Sequence, residues 1–374
     1  MMLNNIFERT IIKALPIKKF YDICFIDTAL IGDILVTLPY YNILFEKLRK
    51  LKKKFIVISN PSTYIFFKVL GADVFTVDVN KFIQNPFYKV KSILKLGKFN
   101  SAFISHPNRL GTMEILLDNI YAKKKYLYEG EKIYENHYNP LYNIKYKVLK
   151  KCFKEEGISH ISKHLSCLFK QILKLFDLDR GLNFNIKPQD YKNLFQKVFS
   201  FHTKNIIDGN YIVILPDSST NFRIYPKENW QKVLNELPGN IKIIQLGLKK
   251  FPLEHPNLID LTGKTSLEEA ISIVINAKLV IGNETGLTHL AYLSGIPTVC
   301  ILGGGHFSRF LPWSDFKSIV KCVYNYMNCF QCGWKCKYVS LEKGEIPPCI
   351  YNISPEKILE AVNMLMQKFN IKLN

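Results

Sequence analysis

The chain has 374 residues, which is long for one core and favours two domains. Hydrophobic residues make up 48% of it, as in a globular protein with a well-buried interior. No run approaches the roughly 18 apolar residues of a membrane-spanning helix, and the N-terminal segment lacks the apolar core and cleavage site of a signal peptide. We therefore predict a cytoplasmic protein without a transmembrane helix.

The formal net charge is +20, from 51 basic and 31 acidic side chains. Such a balance favours anionic partners, namely nucleic acid, a membrane surface or phosphorylated substrates. A general bias toward Lys, Ile, Asn, Phe and Tyr explains the charge equally well. Because the lysines are scattered and no aromatic-basic module stands out, we predict no nucleic-acid partner and expect anionic substrates. Basic residues at Lys13, Lys18, Lys19 and 49–54 favour peripheral contact with an anionic inner-membrane surface.

Short apolar runs alternate with helix-length segments through the first part of the chain. The predicted strands are 21–26, 55–59, 73–78, 101–105 and 125–129. Continuous apolar strands separated by helices indicate a parallel sheet that is covered on both faces. Residues 130–205 are instead rich in Lys, Tyr, His and Asn, with helical periodicity over 160–176. We interpret them as a helical insertion that leads into an interdomain linker.

A second series of the same kind begins at Tyr211. Its predicted strands are 211–217, 241–247, 279–283, 297–304 and 318–324. Near the end, Ser354 and Pro355 predict the N-cap and the first residue of a terminal helix. The sequence thus predicts an α/β protein of two Rossmann-like domains whose parallel sheets face a central cleft. The predicted bounds are 1–205 for the first domain, including the insertion at about 130–205, then 206–353 for the second and 354–374 for the C-terminal helix.

The stretch FIDTALIGDILVTLP places Gly32 and Asp33 at the first strand-to-helix turn. In open α/β sheets, ligands bind at the carboxyl ends of the strands, where this turn lies. There Asp33 projects a carboxylate that suits a general base. The alternative is an ordinary Asp N-cap, which the residue taken alone fits better.

A second turn, NETGLTH, joins a predicted strand to a predicted helix. Free backbone N–H groups at the helix start near Gly286 attract a phosphate, and Thr285 and Thr288 add hydroxyl donors. His289 lies one turn inside and reaches back to the same group. The alternative is that Glu284 and Thr285 only cap the helix and that His289 is an interior histidine with satisfied hydrogen bonds.

A hydroxyl-rich and basic loop follows the predicted strand YIVILP. Its candidate donor-binding residues are Ser218, Ser219, Thr220, Arg223 and Lys227. Cations beside a strand end suit a pyrophosphate leaving group, whose growing charge they stabilise. The alternative is that Arg223 and Lys227 are solvated loop charges.

The run GGGH, which contains Gly304 and His306, follows the next strand. Its glycines allow a second close approach of the backbone to a ligand, and this favours the phosphate interpretation of NETGLTH. Neither GxGxxG nor GxxxxGK[ST] occurs in the chain. A dinucleotide oxidoreductase and a P-loop NTPase therefore lack their signatures.

Four motifs, in order along the chain, resemble glycosyltransferase family 9, the heptosyltransferase family of lipopolysaccharide assembly. They are IGDILVTLP, RIYPKENW, NETGLTHLAYLSGIPTV and GGGHFSRFLPW. The resemblance implies a GT-B fold, with a nucleotide-sugar donor in the C-terminal domain and the acceptor in the N-terminal one. It also implies an inverting transfer that requires no cofactor for catalysis.

The resemblance also assigns roles to single residues. Asp33 matches the catalytic base, Arg223 matches a lysine that binds donor phosphate, and Thr285, Gly286 and His289 match donor-binding positions. Gly32, Gly304 and His306 complete the candidate site as acceptor or loop residues.

Two residues depart from the family pattern. Arg223 replaces the lysine and keeps the cation with a forked geometry. Glu284 stands where most members have Asp, and its extra methylene leaves the identity of the nucleotide open.

Four cysteines cluster near the C-terminus, at Cys329, Cys332, Cys336 and Cys349. Their spacing, C-x2-C-x3-C-x12-C, supplies four thiolates that suit a structural zinc ion or an iron–sulfur cluster. It departs from the paired C-x2-C spacing of standard zinc fingers. Free thiols, which are the default for all nine cysteines in a reducing cytoplasm, are the alternative.

Together these features predict transfer of a heptose or related sugar, with ADP-heptose as the favoured donor, to a lipopolysaccharide core or another surface glycan. The alternative is a non-catalytic nucleotide-sugar-binding or scaffold protein of the same fold. The intact Asp33 favours the enzyme. The expected location is the cytoplasm, with peripheral contact on the inner face of the inner membrane.

Overall fold

The computed structural model describes residues 17, 19–107, 111–129, 146–154, 159–181, 184, 186–199 and 207–371. The chain divides into two α/β units. The first comprises Met1–Glu156 with Ile161–Asn185, and the second comprises Gly157–His160 with Ile186–Asn374. Lys13, Lys18 and residues 130–145 lie outside the described residues.

Six parallel strands form the sheet of the first unit. They are β1 (Phe20–Asp27), β2 (Phe55–Ser59), β3 (Asp73–Thr76), β4 (Lys98–Ile104), β5 (Tyr121–Tyr128) and β6 (Lys147–Leu149). Their order in the sheet is β3-β2-β1-β4-β5-β6. The order reverses between β1 and β4, and this reversal is the point at which open α/β sheets form a ligand crevice.

The helices of the first unit cover this sheet. They are α1 (Ile31–Lys50), α2 (Tyr64–Lys68), α3 (Val79–Gln84), α4 (Pro86–Leu96), α5 (Thr112–Asn119) and α6 (Ile161–Lys174). Aromatic side chains fill the core: Phe25 lies 5.7 Å from Phe103 and 5.9 Å from Phe45 between ring centroids. The last five residues of β1 are buried, as expected of a strand that is covered on both faces.

The second unit repeats this topology. Its strands are β7 (Tyr211–Leu215), β8 (Lys242–Gln245), β9 (Leu258–Asp260), β10 (Leu279–Asn283), β11 (Thr298–Ile301) and β12 (Val320–Val323), in the order β12-β11-β10-β7-β8-β9. Its helices are α7 (Pro188–Phe199), α8 (Lys227–Asn235), α9 (Leu267–Ile275), α10 (Gly286–Leu293), α11 (Pro348–Tyr351) and α12 (Pro355–Lys368). The reversal of strand order here lies between β7 and β10.

The terminal helix begins at the predicted position. Ser354 is the N-cap of α12 and Pro355 is its first residue, where the missing N–H of proline carries no cost. The buried residues Ile358, Val362 and Leu365 recur at helical spacing and pack into the core of the second unit.

The structure departs from the sequence prediction in the segment 130–205. Residues 147–149 form β6, which pairs with β5, although the segment was predicted to be helical. Helix α7 packs within the second unit, where Tyr191 contacts Trp313 and Phe316 at ring distances of 5.8 and 5.7 Å. The strand β9 was also not predicted. Both β6 and β9 have three residues and lie at a sheet edge, too short for a clear alternation of polar and apolar residues.

The cysteine pattern requires one correction. Cys152 and Cys167 form a disulfide in the first unit, so the prediction of nine free thiols is wrong for this pair. Their positions on a loop and on α6 are separated by 15 residues, and only the fold brings them together.

No helix within the described ranges is both long enough and apolar enough to cross a membrane.

Candidate functional site

In the first unit, Asp33 lies in the first turn of α1, directly after β1. The N-cap of this helix is Leu30, and Asp33 is the third helical residue, so Asp33 is not the N-cap that was the alternative. Gly32 precedes it in the same turn. The hydroxyl of Thr37 donates to the carbonyl oxygen of Asp33 at 2.8 Å and braces the turn from within the helix. The position near the helix N-terminus stabilises a carboxylate.

A histidine that the sequence prediction missed faces Asp33. His106 Nε2 lies 3.7 Å from Asp33 Oδ1, and the His106 side chain is fully buried whereas 22% of the Asp33 side chain is exposed. His106 follows β4, the neighbour of β1 across the reversal of strand order. The signal that could have found it is its place after the apolar run SAFIS, but the order of the strands was needed to show which turns are neighbours.

A buried hydrogen-bond network lies beneath this pair. Asp27, the last residue of β1, accepts hydrogen bonds from the Tyr41 hydroxyl at 2.7 Å and from the Ala29 N–H at 3.2 Å. The Tyr41 and Ser105 hydroxyls are 2.6 Å apart, and Ser105 precedes His106. Burial raises the pKa of Asp27 to about 8, and the hydrogen bonds from Tyr41 and Ala29 offset part of that rise. The network ties the turn before Asp33 to the turn that carries His106.

In the second unit, Asn283 joins the ends of β7 and β10. Its Nδ2 donates to the Pro216 carbonyl at 2.6 Å, and its Oδ1 accepts the Tyr225 N–H at 3.3 Å. Asn283 is fully buried. It thereby sets the spacing of the two loops that contain most of the predicted donor-binding residues.

The motif RIYPKENW is anchored by its aromatic residues. Tyr225 and Trp230 are fully buried in the core, and the Tyr225 hydroxyl donates to the Ile353 carbonyl at 2.7 Å. This packing fixes the short helical turn 221–223, which presents Arg223. Lys227 is exposed as the first residue of α8.

The hydroxyl residues before Arg223 differ in exposure. Ser218 is buried and its Oγ accepts the Thr220 N–H at 3.4 Å, whereas Ser219 is exposed. The Oγ1 atom of Thr220 is buried and has no hydrogen-bond partner among the described residues. Ser219 and Thr220 therefore offer hydroxyls to a ligand, while Ser218 shapes the loop.

The N-terminus of α10 leaves backbone donors available. Thr285 is the N-cap, but its side chain makes no capping hydrogen bond, and its Oγ1 lies 3.1 Å from that of Thr288. The first turn, from Gly286, therefore has N–H groups that no side chain caps. Thr288 is buried and donates its hydroxyl hydrogen to the Asn283 carbonyl at 2.6 Å, so this residue holds the turn together from inside.

His289 and Glu284 lie against each other in the interior. His289 Nδ1 is 2.8 Å from the Tyr292 hydroxyl, and His289 Nε2 is 3.9 Å from Glu284 Oε1. Both residues are buried. These partners match the alternative of an interior histidine with satisfied hydrogen bonds. Glu284 and His289 therefore help to hold the turn between them in place.

The glycine-rich run after β11 is covered by protein. A Cβ atom on Gly304 would lie 2.5 Å from the ring of Phe330, and one on Gly305 would overlap the ring of Trp334. Glycine is required here because two aromatic rings lie on the backbone. At Gly304 and Gly305 the space of a side chain is thus filled by aromatic rings of the protein. His306 is buried, with its ring 5.9 Å from that of Trp334.

The four clustered cysteines lie in the segment 327–349, which we call the cysteine segment. Burial raises the pKa of the Cys349 thiol, the N–H of Gly304 lowers it, and the thiols of Cys329, Cys332 and Cys336 raise it further. The four thiols are thus within electrostatic range of one another. Among the described residues, however, no three His, Cys, Asp or Glu side chains are arranged to hold a metal ion.

Comparison with known proteins places the chain in a family. A sequence model of Glycosyltransferase family 9 (heptosyltransferase) matches residues 149–338, just over half of the chain. Lipooligosaccharide heptosyltransferase 2 of Campylobacter jejuni is 23% identical over 303 residues, which cover 77% of this chain and 83% of that protein. Lipooligosaccharide heptosyltransferase 2 of Haemophilus influenzae is 28% identical over 110 residues, and this match covers 29% of this chain and only 30% of that protein.

A solved structure shares the fold of this chain. The solved structure of the ADP-heptose lipopolysaccharide heptosyltransferase II of E. coli has a TM-score of 0.60 at 14% identity, covering 94% of this chain and 100% of that one. This similarity confirms the predicted GT-B fold class, with its two Rossmann-like α/β units. The chain belongs to glycosyltransferase family 9, the heptosyltransferase family.

Proposed function

We propose that the protein is an inverting glycosyltransferase that needs no metal ion for catalysis. It moves a heptose or a related sugar from a nucleoside-diphosphate donor, with ADP-heptose favoured, to a lipopolysaccharide core or another surface-glycan acceptor. The observation that carries this proposal is the partly exposed Asp33 carboxylate, which is held beside a buried His106 at the point of strand reversal. Membership of the family supports the reaction class.

Asp33 acts as the general base. A sugar hydroxyl is a poor nucleophile at neutral pH, and a positioned carboxylate removes its proton as the oxygen attacks the anomeric carbon. Attack from the face opposite the departing nucleoside diphosphate inverts the configuration. Such a base contributes roughly 10²- to 10⁴-fold to the rate.

The donor diphosphate binds in the second unit. The guanidinium of Arg223 and the uncapped N–H groups at the start of α10 stabilise the charge that grows on the leaving group. Ser219, Thr220 and Lys227 add hydroxyl and cationic donors around the same strand ends. These groups supply the electrostatic stabilisation that a divalent ion provides in other transferases, and this supports a reaction without a metal.

A metal at the cysteine segment is a separate proposal. The proximity of the four thiols supports it, although they are not arranged as a coordination site. Metal analysis of the purified protein, with Cys332→Ser beside it, tests it. A stoichiometric metal that is lost in the variant would support a structural site. A metal-free wild type that remains folded would rule the site out.

The surface of the first unit supports a peripheral membrane contact. Lys19, Arg49, Lys53 and Lys54 surround a cavity of about 490 Å³ at the amino ends of the strands. Half of the nearby Phe20 side chain is exposed. Cations beside an exposed aromatic ring suit the headgroup region of an anionic bilayer, so we propose that this surface contacts the membrane that contains the acceptor.

The experiment that tests the enzymatic proposal is donor turnover. Purified protein is offered ADP-heptose and then other nucleotide sugars, with heptose-deficient lipopolysaccharide as acceptor, in EDTA. Product is followed by mass spectrometry for wild type, Asp33→Asn and Arg223→Ala. Asp177→Asn is the matched control, because Asp177 has an exposed carboxylate and lies elsewhere in the first unit.

We expect transfer by wild type and by the control, and a loss of about 10²-fold or more in Asp33→Asn. Donor binding without transfer to any acceptor would mean that the acceptor class is wrong. Failure to bind any nucleotide sugar would favour the alternative of a scaffold protein of the same fold.

A further inference from the structure

The cysteine segment packs against the glycine-rich run and against the loop that follows β7. Its backbone donates two hydrogen bonds to the glycine-rich run, from Gln331 N to Gly304 O at 2.7 Å and from Gly333 N to Gly305 O at 3.0 Å. Both bonds form in the tight turn that presents Trp334. The Trp334 side chain is therefore held at a defined place at this edge of the sheet.

Trp334 also contacts the loop that follows β7. Its ring lies 4.8 Å from the ring of Phe222, and the Arg223 Cζ atom lies 5.7 Å from the centroid of the Trp334 ring. A guanidinium at this distance is attracted to the electron-rich face of an indole. Trp334 thus lies between the glycine-rich run and the cation that we assign to the donor diphosphate.

Three buried polar atoms at this place lack hydrogen-bond partners among the described residues. They are Thr220 Oγ1, Arg223 Nε and Trp334 Nε1. Buried polar groups are nearly always hydrogen-bonded, because a lost hydrogen bond there is not replaced by water. Two of the three are donors only, and the hydroxyl can donate. Such a set suits a ligand that is rich in acceptor oxygens.

We propose that Trp334 is a donor-binding residue, whose ring holds Arg223 and whose indole N–H, with Arg223 Nε, hydrogen-bonds the diphosphate of the sugar donor. The inference rests on the proposed function, because it takes the ligand to be a nucleoside diphosphate. It gives the cysteine segment a direct part in substrate binding. A simple covering role for Trp334 would need only a flat ring, and phenylalanine would supply that without burying an unpaired N–H.

The test compares ligand binding by isothermal titration calorimetry in five proteins, namely wild type, Trp334→Phe, Phe330→Leu, Arg223→Gln and the double variant Arg223→Gln/Trp334→Phe. Trp334→Phe keeps a ring over Gly305 and Arg223 and removes the N–H. Phe330→Leu is the matched control. Phe330 lies in the cysteine segment like Trp334 and packs on Gly304, but its ring contacts Phe307 and Tyr324 rather than Phe222. The ligands are ADP, inorganic pyrophosphate and adenosine, with thermal unfolding measured beside them.

We expect Trp334→Phe to raise the Kd for ADP and for pyrophosphate by about three- to tenfold, the effect of one lost hydrogen bond. Its Kd for adenosine, which carries no phosphate, should be unchanged. Phe330→Leu should stay within about twofold for all three ligands. In the double variant Arg223→Gln/Trp334→Phe, the combined loss should be smaller than the product of the two single losses, because both groups act on the same phosphate oxygens.

Other outcomes overturn the inference in distinguishable ways. If wild type binds ADP and Trp334→Phe binds it within twofold, Trp334 is not a donor-binding residue and the proposed function stands. If Trp334→Phe weakens adenosine as much as ADP and lowers the melting temperature more than Phe330→Leu does, its role is packing. If wild type binds neither ADP nor pyrophosphate, and UDP, GDP and CDP titrated in their place also fail to bind, the proposed function fails and this inference with it.

Discussion

The surroundings of the Asp33 carboxylate are formed by residues that are distant from it in sequence. His106 lies 3.7 Å away, and the network of Asp27, Tyr41 and Ser105 connects the turns that carry both residues. A general base must keep its orientation relative to the hydroxyl that it deprotonates, and small displacements lower the rate strongly. We therefore interpret His106 as a positioning residue for Asp33.

The first prediction concerns this pair. His106→Gln keeps a polar side chain but loses the ring that contacts Asp33, so kcat should fall about tenfold with little change in KM for the donor. Steady-state kinetics with the donor identified by turnover measures both constants. His255→Gln, in the second unit and far from Asp33 along the chain, is the control. A kcat within twofold of wild type would show that His106 does not position the base.

The second prediction concerns Asp27 and pH. Its pKa is about 8 in the folded protein against 3.8 as the ordinary value, so the folded state holds a proton that the unfolded state releases between these pH values. The stability that Asp27 contributes is thus fully present below about pH 4 and is lost as the pH rises toward 8, at up to about 1.4 kcal/mol per pH unit. Asp27→Asn should flatten this part of the pH dependence.

Urea unfolding of the two proteins between pH 5.5 and 8.5 measures the difference. Asp177→Asn is the control, because Asp177 is exposed and Asn tolerates its positive φ of 55°. Parallel curves for wild type and Asp27→Asn would contradict the prediction.

At the scale of elements, the loops of the second unit are positioned by what packs behind them. Helix α12 completes the core that holds Tyr225, and the Tyr225 hydroxyl bonds to the carbonyl of Ile353, just before this helix. Tyr225 lies two residues after the short helical turn that ends at Arg223. The terminal helix therefore supports the predicted donor site, although no site residue lies on it.

The third prediction uses two neighbouring residues of α12 that differ in burial. Leu365 is fully buried and Met364 is 53% exposed. Leu365→Ala should lower the free energy of unfolding by about 2–5 kcal/mol through the cavity that it leaves, whereas Met364→Ala should stay within about 0.5 kcal/mol. Chemical denaturation followed by tryptophan fluorescence measures both. Equal effects of the two substitutions would mean that the helix does not pack as described.

At the scale of the whole molecule, the net charge is +20, and part of it is concentrated in one cluster of basic side chains. Around the cavity at the amino ends of the first sheet, basic side chains lie beside the exposed Phe20. Charge that is spread evenly over a surface attracts anions weakly. A basic cluster with an apolar neighbour binds anionic bilayers more strongly, because the cations attract the lipid headgroups and the apolar side chain enters the interface.

The fourth prediction is selective binding to anionic vesicles. At low salt, wild type should bind vesicles that contain phosphatidylglycerol and not vesicles of phosphatidylcholine alone. Lys53→Gln/Lys54→Gln should weaken that binding about fivefold per lysine. Lys249→Gln/Lys250→Gln, an exposed pair in the second unit, should leave it unchanged. Equal binding to neutral and anionic vesicles would refute the membrane proposal.

The sequence by itself determined the layers of the fold and ten of its twelve described strands, although most of the predicted strand bounds differ from the observed ones by a few residues. Runs such as FIVIS and LVIGN match β2 and β10 residue for residue, because a strand buried on both faces must be apolar throughout. The positions of Gly32, Asp33, Arg223 and Gly286 after such strands follow from the same pattern. Only the tertiary structure decided which turns are neighbours, because strand order is a long-range property. It brought His106 to Asp33 and Asn283 to Pro216 and Tyr225. It also placed the ring of Trp334 over Gly305. The sequence shows that a glycine has no side chain, but only the fold shows which group fills the space that is left.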